Sequence, residues 1–141
     1  MLWCESPGSI TKRIQDVATI VAAAHVKGLA VAWNNTYSDG VLFDAFAHGV
    51  DDSMQAPAKY VGGHSDLLLG LVRARGDAAF AKLGPIYHQL GLAVSPDDCS
   101  LALRGLQTLA VRPDALGRAA LQVAIWLSDQ PLVDQVYHPA L

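Results

Sequence analysis

The sequence predicts an α/β fold with a mostly parallel sheet flanked by helices. Three observations carry that expectation. Two short, continuous apolar runs, Leu29–Trp33 and Leu67–Val72, have the pattern of strands buried on both faces. Helical segments alternate with strand candidates, as in βαβ units. Pro, Gly and capping residues punctuate the boundaries between them.

In chain order, Leu2–Cys4 reads as a strand, and Glu5-Ser6-Pro7-Gly8-Ser9 is turn chemistry. Asp16 caps a helix from Val17 to about Val26, which Gly28 ends. After the Leu29–Trp33 strand comes a polar loop from Asn34 to Gly40, then a short helical segment over Leu42–Ala47 closed by His48-Gly49. Asp52–Gln55 is the next strand and Leu67–Val72 a further, buried one. Gly76–Leu90 predicts a helix kinked or split at Gly84-Pro85. Ser95-Pro96-Asp97-Asp98 combines a cap, a first-turn proline and two acids, and starts a helix reaching about Ala110. Arg112-Pro113-Asp114 restarts a helix through Ser128, with Leu116, Ala120, Val123, Ala124 and Leu127 on one stripe. Pro131–Tyr137 is expected as a strand entering a new unit.

The 141 residues suffice for one domain, and a hydrophobic fraction of 52% is ample for a core. A net charge of -3 without a Lys/Arg cluster argues against a nucleic-acid surface. Only 16% of residues are charged, which predicts apolar surface covered by further sequence or by a partner. Cys4 and Cys99 form neither a disulfide framework nor a zinc spacing. No apolar run reaches membrane-spanning length and the opening Met-Leu-Trp-Cys-Glu is not a signal peptide, so a cytoplasmic location without membrane contact is expected.

The chemistry centres on Gln55-Ala56-Pro57-Ala58-Lys59-Tyr60-Val61-Gly62-Gly63-His64-Ser65-Asp66. A lysine between a strand end and a Gly-Gly turn places an amine at the mouth of an α/β sheet, where ligands of such folds bind. Partly shielded from water, such an amine has a lowered pKa and attacks aldehydes; on the surface it is an ordinary loop lysine. Other constellations read as structural. His64, Ser65 and Asp66 are adjacent and cannot converge as a triad. His25, His48, His64, His88 and His138 lack paired metal-ligand spacing. Gly62-Gly63 follows the lysine, unlike a Walker loop.

The lysine stretch resembles the cofactor-lysine segment of the Cys/Met-metabolism family of pyridoxal-phosphate enzymes. Further blocks agree in order, among them Glu5-Ser6-Pro7-Gly8-Ser9, Asn35-Thr36, Gly40-Val41-Leu42-Phe43, Gly49-Val50-Asp51, Ser95-Pro96-Asp97-Asp98, Leu103-Arg104-Gly105-Leu106 and His138-Pro139-Ala140-Leu141. By that resemblance the fold is part of an aminotransferase-like large domain. Residues 1–112 correspond to the C-terminal half of the cofactor domain, and 113–141 to a helix and strand leading into a small domain. Chains of this family are well over twice as long, so a partial chain is expected.

The resemblance implies pyridoxal 5'-phosphate held by Lys59 as a Schiff base, with Lys59 later moving the substrate's α-proton. Asn34, Ala56 and Ala58 fall in cofactor-binding positions, and Tyr37 and Trp33 could line the pocket. The implied substrate is a small sulfur amino acid: β-elimination from cystathionine gives homocysteine, pyruvate and ammonia. A sibling γ-elimination or γ-synthesis, or an inactive remnant, are the alternatives. A homo-oligomer is expected of the full-length family.

Three departures from the family pattern stand out. Asn34 replaces an aspartate that keeps the ring nitrogen protonated, and losing such a stabiliser costs about 3 kcal/mol of barrier. Ala58 replaces a hydroxyl residue that binds phosphate, beside Pro57, which lacks an N–H. Pro113 disfavours helical geometry at Arg112.

Overall fold

The computed structural model describes residues 1–141. Its elements are β1 (Leu2–Glu5), α1 (Val17–Val26), β2 (Val31–Asn34), a 3₁₀ turn (Phe46–His48), β3 (Asp52–Gln55), β4 (Leu71–Ala74), α2 (Asp77–Gln89), α3 (Pro96–Leu109) and α4 (Arg112–Ser128). The strands form one sheet in the order β1-β2-β3-β4. β1 and β3 both pair parallel to β2, while β4 pairs antiparallel to β3. The mostly parallel α/β expectation therefore holds.

The helix starts follow the capping chemistry in the sequence. Asp16 accepts from Thr19 N–H at 3.1 Å, and Ser95 from Asp98 N–H at 3.0 Å. Gly28, at φ 67°, ends the chain's first helix in the left-handed conformation that only glycine adopts cheaply. The central strand β2 is covered on both faces. Val31, Ala32 and Trp33 are buried, and Val31 and Trp33 join Cys4, Val21, Ala24, Ala45 and Val50 in the core. Asp51 ties α1 to β2, since its carboxylate meets His25 Nε2 and accepts from Val31 N–H, both at 2.8 Å.

Five expectations are corrected. The helical segment expected over Leu42–Ala47 is only the 3₁₀ turn at Phe46–His48. The buried strand expected at Leu67–Val72 begins four residues later, spans Leu71–Ala74 and is an exposed edge. It runs antiparallel because no helix crosses over between β3 and β4, and parallel pairing needs such a crossover. Of the expected run, Leu67 is buried and Leu68 is 90% exposed. α2 continues through Pro85 as a single helix; the carbonyl that Pro85 leaves unpaired belongs to Ala81, an exposed residue that water can satisfy. Arg112 is helical although Pro113 follows it, because Pro113 lies in the first turn of α4, where an N–H has no intrahelical partner. Pro131–Tyr137 is not a strand; it closes on local bonds such as Val133 N–H to Gln130 O at 3.1 Å.

The stripe on α4 is real, but of its five residues only Ala124 is buried; the stripe faces an open groove beside Val136 and Tyr137. Trp3, Phe80 and Trp126 are each more than half exposed, the structural counterpart of the low charged fraction. No helix is long and apolar enough to cross a membrane.

One close approach fixes α3 against the segment that follows Lys59. A Cβ on Gly105 would lie 2.0 Å from Val61 O and 2.7 Å from Gly62 O, both backbone atoms that cannot swing aside. Gly105→Ala is expected to destabilise the chain by about 1–3 kcal/mol through overpacking, read as a lower urea midpoint with an unchanged slope.

Candidate functional site

The parallel strands end together on one side of the sheet. Glu5, the last residue of β1, sits in register with Asn34, the last of β2, and Asn34 in register with Met54 of β3. Above these ends opens a cleft of about 810 Å³ whose walls include Glu5, Ser9, Asn34, Thr36, Met54 and Lys59. That size suits a small-molecule ligand.

Asn34 is held on both sides. Its Oδ1 accepts from Thr36 N–H at 3.1 Å and from Thr36 Oγ1 at 2.6 Å, while its Nδ2 donates to Glu5 Oε1 at 3.1 Å. The other Glu5 oxygen accepts from the Ser9 N–H at 3.1 Å and the Ser9 hydroxyl at 2.6 Å. Thr36 reaches onward as well: its Oγ1 accepts from Ala56 N–H at 3.0 Å. The end of β2 is thereby tied to the start of the lysine loop.

That loop closes on itself. Lys59 N–H donates to Ala56 O at 2.9 Å, Gly62 N–H to Pro57 O at 2.7 Å and Gly63 N–H to Lys59 O at 2.8 Å. Gly63, at φ 72°, lets the chain reverse. Of the two settings weighed for Lys59, shielded or on the surface, the side chain takes the exposed one. The Ala58 N–H makes no hydrogen bond within the chain.

Arg112 supports the loop from behind. It donates from Nε to Thr108 Oγ1 at 3.0 Å, from Nη2 to Val61 O and Gly105 O, both at 2.9 Å, and from Nη1 to Tyr60 O. Four of its five N–H groups are therefore spent on this chain, so Arg112 lines the cleft as a brace rather than as a free anion receptor. Asp66 adds an exposed ion pair to Arg104 at 2.5 Å. Among His64, Ser65 and Asp66 no catalytic convergence exists: His64 Nδ1 bonds its own turn at Gly62 O, 2.7 Å away.

The four residues singled out from the sequence, Asn34, Ala56, Ala58 and Lys59, all line this one cleft, and so does Tyr37. Trp33 does not; it is fully buried in the core. Sequence reasoning missed Glu5, Thr36 and Arg112. Glu5 was read as part of a turn, and only strand register brings it beside Asn34. The guanidinium of Arg112 meets carbonyls more than fifty positions away, a pairing with no local signal.

Asp39 was missed as well. It is 6% exposed, its two carboxylate oxygens have no partner, and the nearby buried Gln55 Nε2 is also unpaired. Burial pushes the Asp39 carboxyl up to about 6 against the attraction of Arg112.

The family profile "Cys/Met metabolism PLP-dependent enzyme" matches residues 1–141. A putative cystathionine beta-lyase of Saccharomyces cerevisiae is 41% identical over 140 residues, which cover 99% of this chain and 41% of that protein. The cystathionine beta-lyase of Haemophilus influenzae is 41% identical over 143 residues, covering 100% of this chain and 36% of that protein. In three dimensions the chain is similar to cystathionine gamma synthase from Xanthomonas oryzae pv. oryzae, solved in complex with cystathionine. The TM-score is 0.94 at 34% identity, covering 99% of this chain and 36% of that one. The chain thus spans about two-fifths of the length of the curated relatives it matches.

The unpartnered Asp39 generates a pH dependence. The folded carboxyl keeps its proton up to about pH 6, whereas the unfolded one loses it near 3.8. Stability from this group is complete below the lower value and is lost as pH rises through about 6. Asp39→Asn is expected to raise the urea midpoint at pH 7–8 while leaving it nearly unchanged at pH 4. Asparagine also tolerates the backbone there, at φ 53°. Equal shifts at both pH values would refute the assignment.

Proposed function

Since the chain belongs to the Cys/Met metabolism PLP-dependent enzymes, we propose that it forms the lysine-bearing part of a carbon–sulfur lyase that cleaves cystathionine. In the β-elimination, cystathionine and water give homocysteine, pyruvate and ammonia. The observation that carries this reading is one cleft, above the ends of parallel strands, walled by both the Lys59 amine and the Asn34 amide. The similarity to proteins named as beta-lyases, at 41% identity, supports the β-elimination over its siblings. The likeness to a gamma synthase supports the sibling γ reactions as the second reading.

The residues present fit a pyridoxal group. The exposed Lys59 amine can condense with its aldehyde, and Asn34 offers a hydrogen bond to its ring nitrogen. At the phosphate end Ala56 and Ala58 offer no hydroxyl, which leaves the free Ala58 N–H as the donor. When bound, pyridoxal phosphate supplies an electron sink for the pair released at the substrate's α-carbon. Lys59 would serve twice, as the tether and, once freed, as the base that carries the α-proton. Asn34, held by Thr36, would meet the ring nitrogen, and Arg112 keeps the loop that carries Lys59 in place.

In this reading residues 1–112 belong to the cofactor-binding domain and 113–141 lead into a second domain. The working protein is a homo-oligomer in the cytoplasm, acting in sulfur amino-acid metabolism. A catalytically silent remnant is the competing reading. Its support is specific: an amide at position 34 and methyl groups at 56 and 58.

Incubation with pyridoxal phosphate followed by borohydride decides between them. A reduced pyridoxyl adduct is expected on Lys59 by peptide mass, near one per chain, and at least about tenfold less in Lys59→Ala. A folded chain that yields no adduct on Lys59 would refute cofactor binding and leave the remnant reading.

A further inference from the structure

We propose that this site is built to hold the pyridine nitrogen of its cofactor unprotonated, as the acceptor of a hydrogen bond from Asn34 Nδ2. The proposal rests on the cofactor reading above and extends it to the charge state of the bound ring. Hydrogen-bond chemistry fixes which end of the Asn34 amide faces which neighbour. A backbone N–H can only donate, so the atom facing Thr36 N–H at 3.1 Å must be the oxygen. An ionised carboxylate can only accept, so the atom facing Glu5 Oε1 at 3.1 Å must be the nitrogen. Both ends give the same answer, and the Thr36 hydroxyl reinforces it at 2.6 Å. The amide is locked against a flip.

The oxygen of Asn34 is thus already engaged by two donors, leaving the amino group as the end with capacity to spare. One of its two N–H groups goes to Glu5; the other has no partner in the chain. In a pyridoxal ring the nitrogen lies para to the carbon bearing the aldehyde. A ring tethered at Lys59 would turn its nitrogen away from that amine, and Asn34, on the wall of the same cleft, would be the donor offered to it. A protonated nitrogen would bring N–H against N–H, which is repulsive; a neutral nitrogen offers the lone pair the amide needs. Glu5 already accepts from Asn34 at one oxygen and from Ser9 at the other, so Asn34 is the group with a donor to spare.

The consequence is a weaker electron sink, because an unprotonated pyridine stabilises negative charge less than a pyridinium. The test reads the ring directly and needs no turnover. Pyridoxal phosphate labelled with ¹⁵N at the ring position is bound to the full chain and its nitrogen shift is followed between pH 6 and 9. The wild type is expected to show a neutral pyridine throughout, and Asn34→Asp a pyridinium. In parallel, wild-type chain is expected to bind pyridoxal phosphate at least about tenfold more tightly than the N-methylated analogue, which has no lone pair, and Asn34→Asp to narrow that ratio. A pyridinium signal in the wild type, with the adduct on Lys59 intact, would overturn this inference while sparing the cofactor reading, and would point to Glu5 as the acceptor. Absence of any Lys59 adduct would overturn both. The wild-type spectrum suffices for the decision even where the variant fails to fold.

Discussion

The Thr36 hydroxyl holds the site together. It donates to Asn34 Oδ1 and accepts from the Ala56 N–H, so a single oxygen joins the end of a central strand to the loop that presents Lys59. Thr36 is 6% exposed, and hydrogen bonds shielded from water in this way are costly to leave unmade. The relative position of the amine and the amide therefore follows from β2 and β3 lying side by side in parallel register, with this hydroxyl bridging the gap. Without the bridge, the lysine loop would hang from β3 alone.

The loop is also gripped from the opposite side. Arg112 bonds the carbonyls of Tyr60, Val61 and Gly105, and Gly105 lacks a side chain where α3 meets the Val61 and Gly62 carbonyls. Helix packing thus reaches the chemistry through backbone carbonyls rather than through an apolar interface. This matters because the core is small: it sits under β2 and α1, and α2 contributes no buried side chain. A directional brace of several charge-assisted hydrogen bonds achieves here what bulk packing does in a larger core.

Local chemistry made most of the elements legible. The caps at Asp16 and Ser95, the first-turn prolines at Pro96 and Pro113 and the glycine after α1 act within a few residues of themselves, and a sequence displays them in full. Lys59 stood out because its neighbours form a compact block. What failed depended on distance. The direction of β4 is decided by the absence of a crossover helix, not by the apolarity of Leu67–Val72. Pro131–Tyr137 has the composition of a strand but closes on local turns instead of pairing with the sheet. Glu5 meets Asn34 only through parallel register, across 29 positions. Asp39 looked like a loop residue, yet it is buried, and Gln55 and Arg73 approach the adjacent Gly40.

The pairing of Glu5 with Asn34 also explains why an amide is at home here. An aspartate at position 34 would set a second carboxylate against Glu5 at hydrogen-bond distance, and two such charges cannot both stay ionised without a counter-ion. A pyridinium beside them would offset one of the two charges, and the ring would gain a strong sink. With no cation present, the same pair repels. Asparagine removes the repulsion outright and adds a hydrogen bond to Glu5, so the strand ends are stable whether or not anything occupies the cleft. Folding alone thus favours the amide, whereas strong carbanion chemistry favours the carboxylate. A chain carrying Asn34 has its strand ends arranged for the first demand at the expense of the second.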